Sequence, residues 1–118
     1  MPRPMNKIDI EGRLTKAPVL TTLPSGDRVA TFTVAHNESF TSGGTVKKTT
    51  SFFPVEVWGD RADSCAKHLS AGCAVAVQGK MTQEHWETEE GKKDRWRLVG
   101  FSVELLSKPR NNTAATPV

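Results

Sequence analysis

The sequence predicts an all-β domain, a small, partly open barrel of five strands with one α-helix between the third and fourth. Three observations predict it. Five segments alternate apolar and polar residues with the period of two that sends successive side chains to opposite faces. Glycine and proline punctuate the gaps between them. A single stretch carries apolar residues at helical spacing.

The first strand is Lys7–Leu14, where Ile8, Ile10 and Leu14 oppose Lys7, Asp9, Glu11 and Arg13. Gly12 interrupts it and is read as a bend or bulge. Residues 16–28 form a connection with a Pro24-Ser25-Gly26-Asp27 turn. The second strand, Val29–His36, places Ala30, Phe32 and Val34 on one face, and residues 37–45 read as a flexible loop around Gly43-Gly44. The third strand, Thr49–Trp58, pairs with the second in a long hairpin. Its Phe53, Val55 and Val57 suit a core, and Phe52, Pro54, Glu56 and Trp58 face the other way. Pro54 lacks an N–H and predicts an edge or bulge there.

Residues 60–72 read as the helix, capped by Asp60 and ended by Gly72, with Ala62, Cys65, Ala66 and Leu69 as its buried stripe. The fourth strand, Cys73–Met81, leads into a polar hairpin around Glu90-Gly91-Lys92, with Trp86 and Trp96 on either side of the turn. The fifth strand returns to Leu106, with Val99, Phe101, Val103 and Leu105 assigned to one face. Residues 107–118 lack periodicity and read as a short disordered tail. This count and order fit an OB-type barrel, a fold that binds oligonucleotides on a strand face and in adjacent loops.

With 118 residues the chain is one domain, spanning residues 5–106. No apolar run approaches the length of a membrane span, and the N-terminus shows no secretory signal. The two cysteines, Cys65 and Cys73, point to a reducing cytoplasm rather than a disulfide framework. Together with His68 they supply only three ligand-type side chains, and Cys65 falls on the apolar stripe, so no metal site is expected. His36, His68 and His85 are scattered, and the glutamates near residues 84–90 lie on a wet hairpin that would not raise a carboxylate's pKa. No catalytic residue and no cofactor is expected.

A net charge of +3 permits a polyanionic partner. Phe52 and Trp58, spaced along one strand face, suit the stacking of nucleobases. The other reading buries them in a second layer or a subunit interface. Phosphate contacts are expected from clustered cations: Lys47 and Lys48, Lys80, and Lys92, Lys93, Arg95 and Arg97 around the late hairpin. Lys7, Arg13 and Arg28 are further possibilities. The hairpin glutamates dilute this charge. Trp96 is read as packing across the hairpin to support Trp86, with direct stacking the other reading. Ile8 and Ile10 form an apolar row on an edge strand, which invites pairing with a second copy.

Several segments together, NKIDIEGRLTKAP, PSGDRVATFTVA, TSFFPVEVWGDRADSCAKHLSAG and VAVQGKMTQEHWETEEG, resemble the bacterial single-stranded DNA-binding proteins in order and spacing over residues 5–106. The resemblance implies an OB barrel, a homotetramer, and non-specific binding of single-stranded DNA in replication, recombination or repair. It implies base stacking on Phe40, Phe52, Trp58 and Trp86. Such proteins usually end in an acidic tip that recruits partners. Residues 108–118 contain no acid, which places tail-mediated partners in doubt. Primosomal replication proteins of the PriB type, dimers of the same fold, are the other reading of the resemblance.

Overall fold

In the computed structural model, residues 4–108 are described. The elements run β1 (Ile8–Leu14), β2 (Val19–Thr22), β3 (Arg28–Ser42), β4 (Thr45–Trp58), α1 (Asp60–His68), β5 (Ala74–Thr88) and β6 (Gly91–Ser107). The expected tail beyond residue 108 lies outside the described residues.

The strands are ordered β1-β5-β6-β4-β3-β2, and β1 also pairs with β3. That second pairing closes β1, β5, β6, β4 and β3 into a five-stranded barrel. All its neighbours are antiparallel except β4 and β6, which run parallel over Val55–Val57. β2 is an addition to the expected count. It lies in what the sequence reads as a connection and pairs with Arg28–Thr31 of β3. All four of its residues are exposed, so no apolar alternation marks it. It makes the helix follow the fourth strand of the chain.

The inward sides of the strands fill the barrel. Val34, Val55, Val57, Val75 and Val77 are almost completely buried, each stabilising the fold by about 1.5–3 kcal/mol relative to exposure. Ala62, Cys65 and Leu69 of the helix region join the same core, and Ala66 is half-buried. Both cysteines are free and buried, and burial pushes the Cys65 thiol pKa up.

Four local expectations are corrected. The helix is shorter than residues 60–72. Gly59, not Asp60, is its N-cap, and Leu69 turns extended while its N–H bonds to the Cys65 carbonyl. Leu69 thereby drops its side chain into the core. Gly72 (φ +87°) sits in the following turn and donates to the Leu14 carbonyl at 2.8 Å.

Residues 37–45 form no loose loop. β3 and β4 stay paired out to Ser42↔Thr45, and Gly43-Gly44 alone makes the turn, with φ of 59° and 80°. Two consecutive positive φ values are what a tight two-residue hairpin requires. Pro54 stands opposite Thr33 without a register shift, one residue before β4 meets β6.

Gly12 marks no bulge, since the β1–β5 register runs unbroken from Ile8 to Arg13. It permits close approach instead. A Cβ there would lie 2.2 Å from the Ala35 carbonyl oxygen on β3.

The fourth correction concerns β6. Its register against β5 shifts between Gln78 and Gly79, leaving Phe101 unpaired between Gly100 and Ser102. A bulge reverses the facing of the residues beyond it. Leu98 and Gly100 therefore face the core before the bulge and Val103 after it, while Phe101 is exposed.

The β1–β3 closure rests on only two residue pairs, Arg13↔Ala35 and Leu14↔Val34. His36 reinforces it. Its Nδ1 lies 2.7 Å from the Glu11 carbonyl oxygen and its Nε2 lies 3.1 Å from Glu38 Oε1. Both oxygens accept only, so both contacts are hydrogen bonds only when the ring is an imidazolium. The Glu11 carbonyl first, then the Glu38 carboxylate, raises the His36 pKa above its usual 6.5. A raised folded-state value stabilises the fold below the unfolded pKa and loses that contribution as pH climbs through the folded one. The unfolding midpoint is therefore expected to fall between pH 6 and pH 8 relative to His36→Gln, in paired thermal melts. Parallel curves for the two proteins would remove the charge from His36.

Candidate nucleic-acid interface

The β4–β6 and β5–β6 ladders create one outward face. On β4 it carries Phe52, Pro54, Glu56 and Trp58, because Phe53, Val55 and Val57 turn inward. β6 contributes Lys93, Arg95, Arg97 and Val99, whose ladder partners on β5 are Trp86, Glu84, Thr82 and Lys80. Phe52, Trp58 and Trp86 are exposed by 62%, 37% and 42%. So much open ring area is unusual on three large aromatics that share a face.

Between the rings lies a paired-charge cluster. Arg97 bonds both oxygens of Glu56 through Nε at 3.0 Å and again through a terminal nitrogen. Arg95 Nε donates to Glu84 Oε1 at 2.6 Å and its Nη2 lies 3.8 Å from Glu56 Oε2. Glu84 also lies 3.7 Å from Arg97. Glu56 holds Arg97 more firmly charged, and the Arg95 hydrogen bond holds Glu84 below the usual carboxylate range. Two guanidiniums and two carboxylates cancel, so Arg95 and Arg97 act first as internal ties across the sheet.

A sequence model described as the single-strand binding protein family matches residues 5–106. The chain belongs to that family. Among curated relatives, the single-stranded DNA-binding protein of Aquifex aeolicus is 38% identical over 90% of this family member and 73% of its own length. The Helicobacter pylori protein of the same name is 32% identical, covering 93% and 63%. The Plasmodium falciparum SSB, solved in complex with ssDNA, superposes with a TM-score of 0.77 at 29% identity, covering 91% of this chain and 99% of that one. The Thermus aquaticus single-stranded DNA-binding protein, at TM-score 0.79 and 22% identity, shares the fold. It is covered over 51% of its length.

Not every expected residue of this family member falls on the outward face. Phe40 pairs with Lys47 near the β3–β4 tip, on the side of that ladder continuous with Phe53 and Val55, opposite Phe52 and Lys48. Phe40 is 48% exposed.

Trp96 does not support Trp86, which corrects the expected cross-strand packing. Trp96 pairs with Gln83, and Trp86 pairs with Lys93. The two tryptophans therefore point to opposite sides of the hairpin, and Trp96 is left 64% exposed. Lys92, opposite Glu87, shares the Trp96 side.

Among the described residues, Lys47, Lys48, Lys80, Lys92 and Lys93 have no carboxylate within ion-pair distance. The less favoured cations are engaged. Arg28 bridges to Asp60 and Asp63 of the helix, Arg13 donates to the Gly72 carbonyl, and Lys7 lies 3.9 Å from Asp9. Ile8 and Ile10 are half-buried against the core. What β1 leaves open, among the described residues, is its second backbone edge, unpaired from Ile8 to Gly12. No helix among the described residues is long and apolar enough to cross a membrane.

Proposed function

We propose that this chain binds and coats single-stranded DNA with little sequence preference, as a non-catalytic protein of the cytoplasm serving replication, recombination or repair. The observation that carries this reading is the outward face on which Phe52, Trp58 and Trp86 stand open among cations. Every base has a π face, so such rings accept any sequence. Lys48, Lys80 and Lys93 supply phosphate contacts beside them, while Phe40 and Lys47 offer a separate contact on the other side of the β3–β4 arm. Arg95 and Arg97 stiffen the platform. The free edge of β1 supports assembly of several copies, a homotetramer on the family resemblance, so that one strand can run over more than one barrel.

The test is a tryptophan-fluorescence titration of the full chain with unrelated oligonucleotides of equal length at graded salt. Similar affinities are expected across sequences, with quenching and a log–log salt slope of about 0.7 per neutralised phosphate. A strong preference for one sequence, or no quenching by any, would overturn the reading.

A further inference from the structure

Phe101 has no part in the core, the charge ties or the three-ring platform. The bulge on β6 opposite Gln78 and Gly79 leaves it without a ladder partner, and its ring is 43% exposed. Its direction is set by its neighbours. Gly100 faces the core, since a Cβ there would meet Val55, Val57 and Val77 side-chain atoms at 3.3 Å. Phe101, the next residue, faces outward, as Trp58 does after buried Val57 on β4. The parallel register ends at Val57↔Gly100, so Trp58 and Phe101 are the next residues on two neighbouring strands. Across the bulge on β5 stand Gln78 and Lys80, both exposed.

The two rings do not consume each other. Among the described residues, the single aromatic contact is His36 with Phe53. Nor does Phe101 line the cleft between the helix and β6, whose walls include Ser102, Val103 and Leu105. An alternating strand would have turned residue 102 inward after Gly100 and Phe101. The bulge delays the return to the core and leaves a large flat ring on the face that holds Phe52, Trp58 and Trp86.

We infer that Phe101 is a further base-stacking residue, extending the nucleic-acid platform across β6 beside Trp58, with Lys80 placed for the adjoining phosphate. This rests on the single-strand-binding reading. It adds a platform at the helix end of the face, where Trp58 would otherwise stand alone.

The test compares Phe101→Ala, Phe101→Leu, Phe101→Trp and Phe52→Ala with the parent chain. Affinity for dT oligomers is measured at fixed salt, and oligomer size by light scattering. Phe101→Ala is expected to weaken binding about fivefold or more. Phe101→Leu keeps apolar bulk without a flat ring and is expected to weaken it too, while Phe101→Trp restores it. Oligomer size stays constant throughout. Should Phe52→Ala weaken binding while Phe101→Leu matches the parent, the role of Phe101 is lost and the broader reading stands. Parental affinity in both would sink the broader reading itself. Dissociation of the oligomer in the Phe101 variants would assign the ring to a subunit contact and overturn the inference.

Discussion

Replacing Phe52 and Trp58 together by alanine is expected to weaken single-stranded DNA binding by about 2–6 kcal/mol, since each stacked base contributes about 1–3 kcal/mol. That is roughly 30-fold to twenty-thousand-fold in affinity. The fold should tolerate the change. Phe52 is 62% and Trp58 37% exposed, so neither ring sits in the barrel interior; truncation opens no enclosed cavity, and Trp58 gives up the larger packed area of the two. The loss should also persist at high salt, because stacking neutralises no phosphate. Lys80→Ala makes the contrasting case, shifting the salt slope by about 0.7. Equilibrium titration with dT oligomers, paired with light scattering, checks both halves. If the double variant fell apart into monomers, these rings would belong to a contact between copies.

Gly12→Ala is expected to destabilise the barrel by about 3 kcal/mol, at the upper end of typical overpacking costs. The added methyl would sit 2.2 Å from the Ala35 carbonyl oxygen and 2.7 Å from Val34 Cγ1. The nearest obstacle is backbone, so no side chain can swing aside. The only relief is to move β1 away from β3, and that closure has two residue pairs, the Thr15 N–H bond to the Thr33 carbonyl and the His36 bond to the Glu11 carbonyl to hold it. The gain from a stiffer unfolded chain, about 0.4–1 kcal/mol, does not offset this. Urea denaturation of the two proteins reads the difference. An unchanged midpoint would mean that β1 and β3 can separate at no cost.

Much of this is legible in the sequence, for a definite reason. The apolar alternations of β1, β3, β4 and β5 mark a face buried against a core, and burial is what alternation records. Phe52 and Trp58 stand out because large rings on the polar side of such a strand lack a packing explanation. Other features hide because they leave no apolar periodicity. β2 is exposed at every residue, and its backbone pairs with β3. The arms beyond His36 and Met81 continue as ladders of polar residues, and polar residues read as loop. Alternation puts Phe101 on the wrong face because a bulge shifts facing by one residue, and a periodic pattern cannot announce its own interruption. The Glu56–Arg97 tie depends on β4 and β6 running side by side, a long-range pairing that local pattern does not encode. Trp86 and Trp96 look like partners because they flank the same turn. Only the two-residue turn at Glu89-Glu90 sets the register that separates them.

The long β5–β6 arm also limits how such a chain can change over generations. Trp86 and Lys93 share the Phe52 side only because the count of residues back to Met81 and Leu98 keeps step with the pleat. A single-codon insertion between Met81 and Trp86 would turn Trp86 away from the side that Lys93 keeps, unless a bulge absorbed the extra residue. Inserting two codons would preserve the display. Descendants should therefore lengthen or shorten this arm in even steps.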